Sequence, residues 1–90
     1  MIRYLVLVEG QVQHVGFRGF CARMAGKYHL TGKIQNLDNG MVRLEIQGKE
    51  EDIDTFFKSM LEGDRFIHVS DYHLKRLDVI PDESSFRSLY

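Results

Sequence analysis

The sequence lacks the features that mark several large classes of protein. Its 90 residues include a single cysteine, Cys21, so no disulfide can form within the chain, and this favours a reducing compartment. No apolar run is long enough to cross a bilayer, and the first residues show no signal-peptide pattern. We therefore expect a cytoplasmic protein that has no membrane partner.

A large excess of one charge is also missing. Twelve Lys and Arg residues nearly balance thirteen Asp and Glu residues, which leaves a net charge of −1, and the basic residues are scattered along the chain. Nucleic-acid-binding domains usually concentrate basic residues on one face, so we expect no nucleic-acid partner. A small anion is still a suitable ligand, because its binding depends on the local charge alone.

No linker, repeat or low-complexity segment interrupts the chain, and we expect residues 1–90 to form a single domain. Alternating and helical spacings of apolar residues predict five strands and two helices. The predicted strands are 2–9, 32–37, 41–47, 66–79 and 85–90, and the predicted helices are 17–28 and 50–62. This order is βαββαβ followed by a short fifth strand. It predicts an α+β fold of the ferredoxin-like sandwich type, with an antiparallel sheet covered by two helices.

The segment between the first strand and the first helix is the main indication of function, because the fold class alone hosts many activities. Residues 10–18 read Gly-Gln-Val-Gln-His-Val-Gly-Phe-Arg, with a glycine at each end of the loop. Such a loop can turn its N–H groups toward one point beside the positive end of the helix, where an anion would bind. Arg18 lies in the first helical turn, where the helix dipole disfavours a cation. An exposed surface arginine is the alternative, but a bound anion explains this placement better.

Asn36 is the second residue with an unexpected position. It lies within a predicted strand although Asn is a poor β-former, and it shortly precedes the turn residues Asp38, Asn39 and Gly40. Asn36 could prepare that turn by bonding to its own backbone. Because the three turn residues are already suited to the turn, a functional role for the Asn36 amide is the better interpretation.

Together the two segments resemble the signatures of the acylphosphatase family. The first signature reads Gly-x-Val-Gln-Gly-Val-x-Phe-Arg, and the second places an Asn on a strand before a polar pair and Gly-x-Val. The chain matches them at Gly10, Val12, Gln13, Val15, Phe17, Arg18, Asn36, Asp38, Asn39, Gly40 and Val42. It differs at His14, where the family has glycine, and at Lys33, where an aromatic or small apolar residue is usual. The resemblance covers almost the whole chain, including the last predicted strand.

The resemblance implies a hydrolase acting on acid anhydrides. Such an enzyme converts a small-molecule acyl phosphate into a carboxylate and inorganic phosphate without a metal or other cofactor. The resemblance also implies that Arg18 binds the phosphoryl group and that Asn36 orients the attacking water. The implied phosphate-binding loop comprises Gln11, Val12, Gln13, His14, Val15, Gly16 and Phe17. For the oligomeric state, a monomer is the default expectation.

The chemistry of acyl phosphates suits so small a set of residues. The leaving group is a carboxylate, a weak base with a solution pKa of about 4, so it departs without a general acid. Phosphoryl transfer through a loose transition state mainly needs positioning and charge stabilisation. Arg18, a ring of backbone amides and the water-aligning Asn36 meet those needs. An ordinary phosphate monoester would expel an alkoxide, and the sequence offers no clearly placed acid to protonate it.

His14 leaves three interpretations open. The family's glycine can adopt a backbone conformation that a Cβ makes costly, although histidine tolerates a positive φ better than most residues. The first interpretation is a tolerated substitution. The second is a distorted loop with weakened activity, and the third is an added cation or acid beside the phosphate.

Cysteine and histidine chemistry is less favoured elsewhere in the chain. Cys21 follows Arg18 instead of preceding it and shares the apolar face of the first helix, so a core thiol is favoured over a nucleophile. His29, His68 and His73 show no convincing metal-ligand spacing, and we expect no metal.

Two rival functions use the same fold. A catalytically silent regulatory module would keep the phosphate-binding loop and lose turnover, with His14 as a candidate cause, but the presence of both Arg18 and Asn36 favours an enzyme. A single-strand RNA binder would stack bases on aromatic residues of the sheet. Residues 41–47 contain none, and the first strand offers only Tyr4, so the sequence disfavours RNA binding.

Overall fold

Five strands and two helices make up the computed structural model, which describes residues 1–89. The elements in chain order are β1 (Ile2–Gln11), α1 (Phe17–Lys27), β2 (Thr31–Asn36), β3 (Val42–Gly48), α2 (Glu50–Glu62), β4 (His68–Leu77) and β5 (Phe86–Leu89). The predicted types and order of elements are confirmed. β4 is shorter at both ends than the predicted strand 66–79, and Tyr90, predicted to end the fifth strand, lies outside the described residues.

The strands form one sheet in the order β4-β1-β3-β2-β5. β1 pairs antiparallel with both β3 and β4, which places it inside the sheet, as its apolar sequence predicts. The prediction of an antiparallel sheet needs one correction, because β5 pairs parallel with β2 and the sheet is mixed. β4 and β5 lie at opposite edges, so the crossing segment, residues 78–85, has to pass over the sheet between them. This path sets the direction of β5.

The hydrophobic core lies between one face of the sheet and the two helices. Both helices bury residues spaced three or four positions apart, which share one helix face. Those residues are Phe17, Cys21 and Ala25 in α1 and Ile53, Phe56 and Met60 in α2. Burial raises the pKa of the Cys21 thiol, so the structure favours the predicted core role over a nucleophile. Within the described part of the chain, neither helix is long and apolar enough to span a membrane.

A buried ion-pair network holds the crossing segment against the sheet face opposite the helices. Arg3 is 1% exposed, and its Nη1 donates to Glu83 Oε1 at 2.7 Å while its Nη2 donates to Glu45 Oε1 at 3.0 Å. Gln47, which also accepts a bond from Arg3, donates to the Ile80 carbonyl oxygen at 3.0 Å and accepts from the Ile80 N–H at 2.8 Å. These partners offset the cost of burying the guanidinium, and they fix the path by which the chain reaches β5.

We expect the fold to lose stability at acidic pH, where the Glu83 carboxylate becomes protonated. Burial by itself raises the pKa of the Glu83 carboxyl, but hydrogen bonds from Arg3 and Thr31 and the charges of Arg3 and Lys33 outweigh it, and the pKa lies below its ordinary value. A carboxyl of this kind stabilises the protein above its unfolded-state pKa and loses that effect as the pH falls through the folded-state pKa. Urea unfolding from about pH 7 to pH 3 should therefore show a larger loss of stability in wild type than in Glu83→Gln.

At pH 7 the Glu83→Gln variant should be less stable than wild type by about 1 to 2 kcal/mol, because the guanidinium loses an ionised acceptor. Glu62→Gln is the matched control, since Glu62 is exposed at the end of α2. This variant should leave the stability at pH 7 and the loss of stability at acidic pH unchanged. Equal acid sensitivity in wild type and Glu83→Gln would show that another carboxyl is responsible.

Candidate active site

The amino terminus of α1 is open to an anion. Its N-cap residue, Gly16, has a left-handed backbone with a φ of 81°, no side chain caps the helix, and its first turn carries no acidic residue. By contrast, the first turn of α2 holds Glu50, Glu51 and Asp52. The first N–H groups of a helix have no acceptor within the helix, and the helix dipole makes that end positive. The start of α1 therefore offers donors and positive charge to a ligand.

A cavity of about 170 Å³ lies directly beside this helix end. Its walls are formed by residues of the loop, the first turn of α1 and the end of β2. These residues are Val12, His14, Gly16, Phe17, Arg18, Gly19 and Asn36. The structure therefore brings the two residues implied to be catalytic, Arg18 and Asn36, to the same small cavity.

Arg18 reaches the far edge of the sheet. Its Nη1 donates a hydrogen bond to the Leu89 carbonyl oxygen of β5 at 2.9 Å. A guanidinium carries five N–H donors in a planar fork, so one such group can be anchored by the protein and also bind a phosphoryl oxygen. This bond ties the Arg18 side chain to β5, and Arg18 also lines the cavity.

Asn36 is the last residue of β2 and pairs with Val42 of β3. Its side-chain oxygen, Oδ1, is buried and has no hydrogen-bond partner among the described residues. A buried acceptor without a donor is costly, and buried water commonly supplies the missing donor. The Asn36 amide oxygen is thus suited to hold a water molecule beside the loop.

The other implied loop residues have different surroundings. Gln11 belongs to β1, where it pairs with His68 of β4, and Val15 packs against the hydrophobic core. The Gln13 side chain reaches the turn between β2 and β3. Gly19 lines the cavity although the sequence analysis did not select it. The sequence does contain an indication of this role, because Gly19 lies in the first turn of a helix, where glycine is normally unfavourable.

His14 adopts a left-handed backbone conformation with a φ of 63° and lines the cavity. Glycine adopts this conformation without strain, whereas a residue with a Cβ pays a conformational cost there. His14 thus takes a conformation that glycine favours, at a position that lines the cavity. The backbone favours the tolerated substitution and leaves the third interpretation, a direct contact with phosphate, for experiment.

Replacing His14 with Gly should stabilise the protein and change its activity little. We expect the free energy of unfolding to rise by about 0.5 to 1 kcal/mol, since relief of the left-handed strain outweighs the larger entropy of glycine in the unfolded chain. Turnover should stay within about threefold of wild type. A large gain in activity would indicate a distorted loop, and a loss with an altered pH profile would indicate a direct role for the imidazole.

A second group of polar side chains lies on β1 and β4. Glu9, Asp71 and His73 each place one ligand-type atom within 4.8 Å of the others, and all three are partly or fully exposed. His73 Nε2 lies 2.9 Å from Glu9 Oε2, and this hydrogen bond raises the pKa of His73. The sequence analysis missed the group because Glu9 and Asp71 meet only through the pairing of β1 with β4. The absence of a metal stays a prediction.

The fold and the cavity define an α+β protein of ferredoxin-like topology with a small cavity beside a glycine-bounded loop. The family model described as Acylphosphatase matches residues 4–88. The chain is 40% identical to the acylphosphatase of Clostridium acetobutylicum over all of this chain and 99% of that protein. It is 44% identical to the acylphosphatase of Geobacillus thermodenitrificans over all of this chain and 96% of that protein.

The fold of the chain also matches that of a known acylphosphatase. The crystal structure of acylphosphatase from Bacillus subtilis matches the fold with a TM-score of 0.93, at 31% identity and with full coverage of both chains. The chain therefore belongs to the acylphosphatase family, as its two signatures predict. Members of this family are hydrolases that act on acid anhydrides.

Proposed function

We propose that this protein hydrolyses acyl phosphates to a carboxylate and inorganic phosphate in the cavity that Arg18 and Asn36 share. One observation carries the proposal, namely that three features line the same cavity: Arg18, the uncapped start of α1, and Asn36, whose amide oxygen is buried without a hydrogen-bond partner among the described residues. The first two suit a phosphoryl group, and the third suits a water molecule. The related proteins named above are acylphosphatases, which agrees with this activity.

Arg18 and the start of α1 act on the phosphoryl group. In a loose transition state, negative charge is spread over the three equatorial phosphoryl oxygens. The guanidinium and the first N–H groups of α1 stabilise this charge from fixed positions, because the Leu89 carbonyl holds Arg18 and the helix holds its own backbone. Little reorganisation is then needed when the reaction occurs.

Asn36 acts on the nucleophile. Its Oδ1 accepts a hydrogen bond from a water molecule and thereby directs the water oxygen toward the phosphorus atom. As the new P–O bond forms, the P–O bond to the acyl group breaks and its electron pair leaves on the carboxylate. The proton lost by the water passes to solvent, so the products are a carboxylate, inorganic phosphate and a proton.

The residues around the cavity also favour this substrate class over phosphate monoesters. No carboxyl group of the described residues lines the cavity, and among its lining side chains the His14 imidazole is the group able to transfer a proton. A carboxylate leaving group has a conjugate-acid pKa of about 4 and departs unprotonated. An alkoxide leaving group would need a general acid, and no carboxyl group among the described residues lines this cavity to act as one.

We further propose a cytoplasmic monomer in which residues 1–90 act as one domain. A lone buried cysteine supports a reducing compartment, and a single core shared by both helices supports one folding unit. The nearly balanced charge and the lack of aromatic residues on β3 support the absence of a nucleic-acid partner. Sedimentation of the purified protein should give the mass of a single chain.

The direct test is hydrolysis of benzoyl phosphate in the presence of EDTA. We expect turnover that is unchanged by the chelator, because the proposed mechanism routes no step through a metal. p-Nitrophenyl phosphate, a monoester with a more basic leaving group, is the matched control substrate. Its hydrolysis should be slower by at least about a hundredfold, since no cavity residue is assigned to protonate the leaving oxygen.

Two outcomes would contradict the proposal. Folded protein without turnover would favour the catalytically silent anion-binding module, which none of the comparisons supports. Turnover that disappears in EDTA and returns with a divalent cation would overturn the metal-independent mechanism.

A further inference from the structure

The Gln13 side chain joins the loop between β1 and α1 to the turn between β2 and β3. Its Nε2 donates one hydrogen bond to the Leu37 carbonyl oxygen at 2.7 Å and another to the Met41 carbonyl oxygen at 2.8 Å. Leu37 and Met41 flank the turn between β2 and β3, and the Leu37 N–H donates to the Met41 carbonyl oxygen at 2.9 Å. A single amide group from the phosphate-binding loop therefore clamps both sides of that turn.

This contact matters because the two halves of the site come from elements that are not neighbours in the sheet. The loop follows β1, Asn36 ends β2, and β3 lies between these strands. Among the described residues, the two bonds from Gln13 are the side-chain hydrogen bonds that link residues 12–16 to the turn. Asn36 directly precedes Leu37, so the clamp acts one residue away from the proposed water-aligning amide.

We propose that Gln13 is a positioning residue that sets the distance between the loop-bound phosphoryl group and the water held by Asn36. The inference rests on the proposed function and adds a role for the Gln13 side chain, which lies outside the cavity lining. Arg18 and the start of α1 stay in place without Gln13, because they depend on the helix and on β5. Loss of the clamp should therefore misplace the water and leave phosphate binding largely intact.

The first variant is Gln13→Met, which keeps the length of the side chain and removes both donors. We expect kcat for benzoyl phosphate to fall by about thirtyfold, because a displacement of about 1 Å in a reacting group costs up to about a hundredfold. KM and the inhibition constant of inorganic phosphate should stay within about threefold of wild type. If Gln13 merely supported the loop, Gln13→Met would instead raise both KM and the inhibition constant of inorganic phosphate.

Two further variants keep the test independent of any general loss of structure. Gln13→Lys restores N–H donors to the two carbonyl groups and should recover part of the lost kcat. Gln35→Met is the matched control, because Gln35 lies next to Asn36 on β2 and points to the opposite face of the sheet. It should retain wild-type kcat, and circular dichroism should show that all the variants are folded.

A double-mutant cycle with Asn36→Ala tests whether the loss of kcat in Gln13→Met arises through Asn36. If Gln13 acts through Asn36, then Gln13→Met should lower kcat little further in the Asn36→Ala background. Multiplicative losses in the double variant would overturn the positioning role, and so would wild-type kcat in Gln13→Met. These results differ from the failure of the proposed function itself, in which wild-type protein would show no turnover.

Discussion

Replacing Arg18 with Ala should reduce kcat/KM for benzoyl phosphate by about a thousandfold or more. The guanidinium is the charged group that the cavity offers to the phosphoryl oxygens, and its bond to the Leu89 carbonyl holds it in position before substrate arrives. A preorganised charge is worth more in a small, partly enclosed site than in water. The loss should be visible both in kcat and in the inhibition constant of inorganic phosphate.

Two variants define what Arg18 contributes. Arg18→Lys keeps the charge but loses the planar fork, so it should recover only part of the activity. Arg23→Ala is the matched control, because Arg23 is an exposed arginine on the same helix and does not line the cavity. An Arg18→Ala protein that is folded and retains activity within about tenfold of wild type would remove Arg18 from the mechanism.

Replacing Asn36 with Ala should lower kcat by about a hundredfold, because the attacking water loses the acceptor that directs it. The affinity for inorganic phosphate should change little, since Arg18 and the α1 N–H groups stay in place. The fold should also tolerate the change, because Asn36 Oδ1 has no partner to lose among the described residues. This separation of kcat from phosphate binding distinguishes Asn36 from Arg18.

A charged replacement sharpens the test of Asn36. Asn36→Asp keeps the shape of the side chain and an acceptor oxygen, but it adds a negative charge beside the phosphoryl site, so KM should rise. Gln35→Ala is the control at the neighbouring position, where the side chain leaves the other face of β2. Equal losses of kcat and phosphate affinity in Asn36→Ala would assign Asn36 to phosphate binding and would contradict its proposed role in orienting the water.

Short-range signals explain why the elements and the centre of the site are predictable. Phe17, Cys21 and Ala25 recur at helical spacing, so the buried face of α1 is visible in the chain itself. Arg18 stands against the helix dipole within a few residues of the loop that would hold its anion. Asn36 is out of place in a strand, and this mismatch with local propensity marks it for a role beyond the fold.

The signals for the remaining features involve residues that are far apart in the chain. The direction of β5 follows from the tether between Arg3 and Glu83, and no periodicity in the last residues predicts a parallel partner. The Gln13 side chain bonds to main-chain carbonyl groups, which every residue carries, so no pattern of side chains indicates its partners. The Glu9 and Asp71 carboxylates meet only because of the register between β1 and β4.

Neighbouring residues alone are therefore enough to predict the strands and helices and to single out residues 10–18 and Asn36 as candidates for the site. The reason is that propensity, apolar spacing and the helix dipole act over one or two turns of chain. Long-range packing decides the mixed sheet, the anchoring of Arg18 by Leu89 and the clamp from Gln13 to the β2–β3 turn. Those contacts depend on which distant segments are brought together, and that is settled only when the two helices and the crossing segment pack onto the sheet.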